Sequence, residues 1–233
     1  MKYSIKVNSI NSKEGSNIKG FATVVFGDSF KITNIAILEN KDRKQLFVSM
    51  PRYKSNERDE KGGTIYKDVC NPITAEFREE LYTNILEAYE SAIVPGKEQT
   101  KVFGKRIDSS VEIPVFSVTV SPYERDGSNI KGLARIYIEE SFIINNVNIL
   151  QGKEKIFVSM PSYKTKQIDE QGKAIYQDIC YPVTKEFREK LYAEIVREYE
   201  QAKEKSQKQA RDNAEKSVGS KENQQDKEAT PFR

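Results

Sequence analysis

Short segments with alternating apolar and polar residues occupy the first part of the chain. FATVVF at residues 21–26 and the run from Phe30 to Leu38 are rich in β-branched and aromatic residues, and Gly27-Asp28 between them is typical of a two-residue hairpin turn. Polar residues 39–45 then turn the chain into LFVSM at residues 46–50. The pattern predicts an antiparallel meander in which each strand lies beside the next.

A helical pattern follows this meander. Thr74 comes two residues after a proline and is a suitable N-cap, and apolar residues then recur every four positions. The stripe consists of Phe77, Leu81, Ile85 and Tyr89. One apolar stripe is typical of a helix packed on a sheet, so we expect these side chains to form core rather than a partner groove.

The whole pattern occurs twice. Residues 46–90 and 156–200 align without gaps and share 25 identities in 45 positions, and SNIKGFA at residues 16–22 matches SNIKGLA at residues 128–134. A period of 110 residues is that of a small domain rather than of a solenoid unit. We therefore predict an α+β protein with two tandem repeats, each an antiparallel β-meander followed by a C-terminal helix, which pair within the chain as an intramolecular pseudo-dimer.

Composition shifts along the chain suggest the domain boundaries. We predict a first domain at 1–92, a linker at 93–114, a second domain at 115–203 and a charged tail at 204–233. Because the linker contains the apolar pair Val102-Phe103, we expect it to be partly docked. The tail has almost no large apolar residues and is expected to end disordered. No apolar run is long enough for a membrane helix or a secretion signal, so we expect a cytoplasmic protein that does not interact with membranes.

The residues available for chemistry are few. Histidine is absent, which excludes His-based catalysis and His metal ligands. Cys70 and Cys180 occur once per repeat, so we expect buried core residues rather than metal ligands or a disulfide. No carboxylate pair or nucleophile has a recognisable active-site spacing. We therefore predict that the protein is not an enzyme and uses no cofactor, metal or small-molecule substrate.

Charge is unevenly distributed although the net charge is only +3. The polar segments 52–67 and 162–177, interpreted as a long exposed hairpin or loop in each repeat, carry +2 and +1, whereas the helical segments 74–90 and 184–200 carry −4 and −1. A nucleic acid would be attracted to the loops and repelled by the first helix. An aromatic residue beside basic residues can stack a base and hold its phosphate, although a solvated loop with scattered lysines explains the same pattern. The candidate nucleic-acid-binding residues are Arg52, Tyr53, Lys54, Arg58, Tyr163, Lys164 and Lys166.

The motif FVSMP at residues 47–51 and 157–161, followed by a basic loop, D-[VI]-C-x-P-[IV] and a helix, resembles the SpoVG family of stage V sporulation and septation proteins. The resemblance covers nearly all of both repeats, whereas family members are usually single domains of this size. It implies a bacterial source, a compact α+β domain that dimerises through its sheet, and regulators that bind DNA or RNA through a basic pair after Met-Pro. That pair falls on Tyr53-Lys54 and Tyr163-Lys164, where the family typically has two cations.

Two functional hypotheses follow from these observations. The first is a nucleic-acid-binding regulator that engages DNA or RNA through both loops. The second is a non-enzymatic protein-interaction module acting in cell division, septation or sporulation.

Overall fold

The computed structural model describes residues 2–10, 15–94, 100–103, 113–123 and 126–225, with side chains as far as residue 209. The first repeat contains β1 (Tyr3–Ser9), β2 (Ile18–Phe26), β3 (Phe30–Glu39), β4 (Leu46–Ser49), β5 (Arg52–Arg58), β6 (Thr64–Asp68), β7 (Cys70–Pro72) and α1 (Ala75–Ala92). After β8 (Thr100–Phe103), the second contains β9 (Phe116–Pro122), β10 (Ile130–Ile138), β11 (Phe142–Gln151), β12 (Ile156–Ser159), β13 (Ser162–Ile168), β14 (Ala174–Asp178), β15 (Cys180–Pro182) and α2 (Lys185–Gln225). Neither described helix is long and apolar enough to cross a membrane.

Each repeat is built on an antiparallel meander. β1 to β4 form sheet one, and β9 to β12 form sheet two, with each strand hydrogen-bonded to the next. The turn between β2 and β3 has positive φ at Gly27 and Asp28, as a primed hairpin turn requires. The equivalent turn uses Glu139 and Glu140, also at positive φ. The predicted α+β class, with two tandem repeats that each end in a helix, is confirmed.

The two sheets exchange a strand with each other. β7 of the first repeat pairs with β11 of the second, and β15 of the second pairs with β3 of the first. The strand that follows each hairpin tip is interrupted at one residue, at Val69 between β6 and β7 and at Ile179 between β14 and β15. The break lets the chain leave its own hairpin and join the other repeat's sheet.

Val69 and Ile179 are the two crossing points. The amide N–H of Val69 donates to the Pro51 carbonyl within its own repeat at 2.8 Å, while its carbonyl accepts from the Asn145 amide of the other repeat at 2.8 Å. Ile179 does the same with Pro161 and Thr33. Because the backbone groups of the crossing residue are satisfied on both sides, it can be buried without an unpaired donor or acceptor.

Aromatic contacts make the core continuous across the repeats. Phe26 lies 5.2 Å from Phe142 between ring centroids. Phe187 of α2 lies 6.1 Å from Phe30 of the first repeat and 5.4 Å from Phe116 of its own. The two repeats therefore share one core rather than having a separate core each.

Both helices present the predicted stripe to this core. Thr74 and Thr184 accept hydrogen bonds from the amides of Phe77 and Phe187 and so cap the helices. The four stripe residues of each helix are buried, which confirms their assignment to the core. Cys70 and Cys180 are free and fully buried, as predicted for core residues. A hydrogen bond to the Cys180 thiol, together with burial, raises the pKa of Cys70 well above its usual value.

The linker and the tail each contribute an element beyond the repeats. β8 lies within the predicted linker and pairs with β1, where Phe103 stacks on Tyr3 at 5.6 Å. α2 continues without a break past residue 204, the predicted start of the tail, to Gln225. Part of the linker, including Pro95-Gly96, and residues 226–233 lie outside the described residues. The predicted domain boundaries and the disorder of the tail stay predictions.

Phe77→Ala and Phe187→Ala should each lower the free energy of unfolding by about 3–5 kcal/mol, because each removes a buried aromatic ring from the shared core. Phe47→Ala is the matched control, since the Phe47 side chain is 42% exposed on the outer face of sheet one. Chemical denaturation measures all three variants. A loss below about 1 kcal/mol for Phe187→Ala would contradict its place in the core.

A fragment of residues 1–103 should form a dimer, whereas the whole chain should be a monomer. In the fragment, β7 has no β11 to join, but a second copy offers the equivalent edge of β3. Sedimentation velocity distinguishes the two states. A whole chain that dimerises through the same strands, or a fragment that stays monomeric and folded, would show that the exchange is not required.

Candidate nucleic-acid interface

Two β-hairpins extend from the body of the protein. β5 pairs with β6 and β13 pairs with β14, and neither hairpin is part of sheet one or sheet two. Segments 52–67 and 162–177, which were interpreted from the sequence as a hairpin or a loop, are therefore hairpins. The FVSMP motif forms the base of each, since Met50 and Met160 are buried and the following prolines accept the hydrogen bonds of Val69 and Ile179.

The tips of the hairpins are held by aspartate side chains. The Asp59 carboxylate accepts hydrogen bonds from the amides of Lys61 at 3.0 Å and Gly63 at 2.6 Å. Asp169 accepts the equivalent bonds from Gln171 and Lys173. Gly62 and Gly172 take positive φ at the turn, where glycine has no steric cost. The hairpins are thus ordered by local hydrogen bonds at both the base and the tip.

Strand register determines which side chains can act together. Neighbouring residues on a strand point to opposite faces, so Tyr53 and Lys54 lie on opposite faces of the first hairpin. The cross-strand partner of Lys54 is Tyr66, whose side chain is 61% exposed. In the second hairpin Lys164 is paired with Tyr176, which is 64% exposed.

These two tyrosines were not among the predicted site residues. The prediction grouped an aromatic residue with a basic residue by adjacency in the sequence, whereas the structure groups them across the hairpin. The signal that could have found them was the hairpin itself, because pairing β5 with β6 around the Gly62 turn places Tyr66 opposite Lys54. We call Lys54 with Tyr66, and Lys164 with Tyr176, the two Lys–Tyr pairs.

The predicted basic residues differ in how they are bound. Arg52 is in an ion pair with Asp68 at 2.9 Å, and Arg58 donates to the Thr64 hydroxyl at 2.7 Å. Lys54, Lys164 and Lys166 are exposed, and their side chains have no ion pair or hydrogen bond with any residue that the structure describes. The three lysines are therefore the predicted cations most available to an external anion.

The hairpin faces that carry Tyr53 and Tyr163 are less available to an external ligand. Tyr53 is half-buried and lies across from Lys67, which forms an ion pair with Glu57 that raises the pKa of Lys67. Tyr163 lies across from Gln177 and donates to its side-chain oxygen at 2.8 Å. Within the described part of the chain, no cluster of His, Cys, Asp and Glu could hold a metal ion.

Comparison with known proteins identifies the family. The model of the SpoVG family matches residues 1–91 and 113–201, once over each repeat. The chain belongs to the SpoVG family. The predicted resemblance is therefore confirmed, with two tandem copies in one chain.

Similar SpoVG proteins are about as long as one repeat. A protein from Treponema denticola named "Putative septation protein SpoVG" is 35% identical over 85 residues, which cover 36% of this chain and 83% of that protein. Proteins of the same name from Clostridium beijerinckii and Thermoanaerobacter sp. are 33% and 28% identical over 89 and 90 residues, covering 38–39% of this chain and 87–90% of theirs. This SpoVG chain thus contains two units, each about as long as one of these relatives.

Removing the aromatic ring of each Lys–Tyr pair should leave stability unchanged. Tyr66→Ala and Tyr176→Ala remove mostly exposed side chains, so each should change the free energy of unfolding by less than about 0.5 kcal/mol. Tyr82→Ala on α1 is the contrasting variant, since burial raises the pKa of its phenol and the ring packs against the core. Thermal or urea denaturation measures the difference. A large loss in Tyr66→Ala would mean that the ring supports the hairpin rather than facing solvent.

Proposed function

We propose that this SpoVG protein binds DNA or RNA through the two Lys–Tyr pairs. The observation that carries the proposal is that an exposed lysine and a highly exposed tyrosine are cross-strand partners at the same place in both hairpins. Large aromatic side chains are costly to leave exposed, and an aromatic ring beside a free cation matches the base and the phosphate of one nucleotide.

The two groups of a pair have distinct roles in this proposal. Side chains directly opposite each other on paired strands have Cβ atoms about 4.5–5.5 Å apart, so one nucleotide can reach both. The lysine ammonium holds a phosphate, and the tyrosine ring stacks an unpaired base. Lys166, Arg58 and the ion-paired Arg52 add positive potential around the pairs, and they steer the nucleic acid without reading its sequence.

The helices are unsuited to this contact. The α1 segment carries a charge of −4 at residues 74–90, which repels a polyanion. The corresponding part of α2 carries −1 at residues 184–200, and its charges form ion pairs within the helix, such as Lys190 with Glu186 at 2.8 Å. Nucleic acid is therefore expected to approach the hairpins and not the helices.

A second candidate function is a non-enzymatic interaction with a protein of the septation machinery. The names of the relatives point to septation, and Ile168 on the second hairpin is 68% exposed, which suits an apolar protein contact. This function predicts no salt-dependent binding to nucleic acid. A regulator that acts on sporulation or division by binding nucleic acid would account for both the names of the relatives and the Lys–Tyr pairs.

Replacing Lys54 and Lys164 together by alanine should weaken binding and reduce the salt slope. Each phosphate contact contributes about 0.7–0.9 to the slope of log K against log salt, so the double variant should lose about one to two units. Fluorescence anisotropy with a labelled oligonucleotide, titrated at several salt concentrations, measures the slope. Lys185→Ala with Lys203→Ala is the matched control, because it removes the same charge from exposed positions on α2.

The outcomes separate the two functions. A wild-type chain that binds neither DNA nor RNA at micromolar concentration favours the protein-interaction module. A hairpin double variant that binds like the wild type contradicts the Lys–Tyr pairs, above all if deletion of residues 205–233 abolishes binding. Equal losses of affinity in the hairpin and helix variants would show that binding depends only on the net charge of the protein.

A further inference from the structure

A polar cleft lies between the first hairpin and the outer face of sheet two. Its volume is about 500 Å³. The first repeat contributes Tyr53, Lys67 and Asn71, and the second contributes Arg135, Asn145 and Asn146. The cleft exists only because the strand exchange brings the hairpin of one repeat beside the sheet of the other.

Among the described residues, the cleft has one positive charge without an ion-pair partner. Of its charged residues, Lys67 is paired with Glu57, and Asp68 is paired with Arg52. Arg135 is exposed, and its side chain has no ion pair or hydrogen bond with any residue in the described ranges. Its guanidinium offers five donors suited to a phosphate oxygen pair.

The remaining groups suit the base of a nucleotide. The Asn145 side-chain amide donates to the Asp68 carbonyl at 3.4 Å, and that of Asn71 donates to the Pro72 carbonyl at 3.1 Å, which leaves their side-chain oxygens as acceptors. Tyr53 places a half-buried ring at the wall of the cleft. A ring with neighbouring amides can stack a base and hydrogen-bond its edge.

The equivalent position between the other hairpin and sheet one lacks these groups. In the repeat alignment, Thr23 stands in place of Arg135, Gln177 in place of Lys67 and Tyr181 in place of Asn71. Moreover, the Tyr181 ring lies under the Lys31 ammonium at 5.7 Å. The protein is pseudo-symmetric in its fold but not in the chemistry of these two surfaces.

We propose that the cleft binds one nucleotide of a single-stranded nucleic acid, with its phosphate on Arg135 and its base between Tyr53 and the asparagines. The proposal rests on the nucleic-acid binding proposed above and adds an asymmetric site to the two symmetric Lys–Tyr pairs. Because Tyr53 and Lys54 lie on opposite faces of the first hairpin, a strand that occupies both the cleft and the Lys–Tyr pair passes around the edge of this hairpin. A paired base cannot enter the cleft, so the site favours single strands over duplexes.

Arg135→Thr tests the proposal, because it installs the residue of the other repeat at an exposed position. Lys6→Thr is the matched control, since it removes one exposed charge from the outer face of sheet one, away from the cleft. Anisotropy titrations use the whole chain with a labelled single strand of mixed sequence and with the duplex of that sequence. Arg135→Thr should weaken single-strand binding about tenfold but duplex binding only about twofold, whereas Lys6→Thr should weaken both about twofold.

The results distinguish this proposal from the one on which it rests. If the wild type binds and Arg135→Thr behaves like Lys6→Thr on both probes, the cleft is not a nucleotide site, while the Lys–Tyr pairs still stand. If the wild type binds neither probe, both proposals fail. A free mononucleotide carries the same phosphate and base as one nucleotide of a strand, so it is titrated as a separate probe. If the mononucleotide binds at the concentrations used for the oligonucleotide, and this binding depends on Arg135, the cleft is a site for a free nucleotide and not for a strand.

Discussion

The reciprocal exchange of β7 and β15 is the interaction on which the rest of the structure depends. At Val69 and Ile179 one residue bonds to its own repeat through its amide and to the other repeat through its carbonyl. Each sheet includes one strand from the other repeat, since β15 joins sheet one and β7 joins sheet two. The packing of Phe187 against Phe30 follows from the same crossing, because α2 begins immediately after the exchanged strand β15. Phe142, which packs against Phe26, is the residue with which Pro72 of the exchanged strand β7 pairs. A mixed core of this kind makes the two repeats one folding unit rather than two linked domains.

The exchange also determines where the candidate binding surfaces lie. At the base of each hairpin, the carbonyl of Pro51 or Pro161 accepts a hydrogen bond from the amide of the crossing residue, so both hairpins extend from the junction of the repeats. The first hairpin therefore lies beside Arg135 of the second repeat, and the cleft between them contains residues of both. A single-repeat protein could form such a cleft only by pairing with a second copy, and it would then form it twice. Fusion of two repeats allows one of the two surfaces to diverge. Thr23, at the position of the first repeat that is equivalent to Arg135, shows that divergence.

Much of the fold could be predicted from the sequence, because local signals are strong here. Alternation predicted the meander, Thr74 and Thr184 predicted the helix starts, and the four-residue period predicted the buried stripe. The sequence predicted that the two repeats pair, but not that they exchange strands. Nothing in residues 64–72 shows that the strand breaks at Val69, since its backbone bonds depend on a partner distant in sequence. The Lys–Tyr pairs and the Arg135 cleft were missed for the same reason, since cross-strand register and contacts between repeats are tertiary properties.

In the proposed function, nucleic acid contacts the hairpins and not the helices. Amide hydrogen exchange of the whole chain, with and without a saturating single-stranded oligonucleotide, tests it over all segments at once. We predict added protection within residues 52–68 and 162–178 and on strand β10 beside Arg135, with α1 and the first turns of α2 unchanged. Protection confined to the helices or to the segment after residue 204, with both hairpins exchanging as in the free protein, would contradict it.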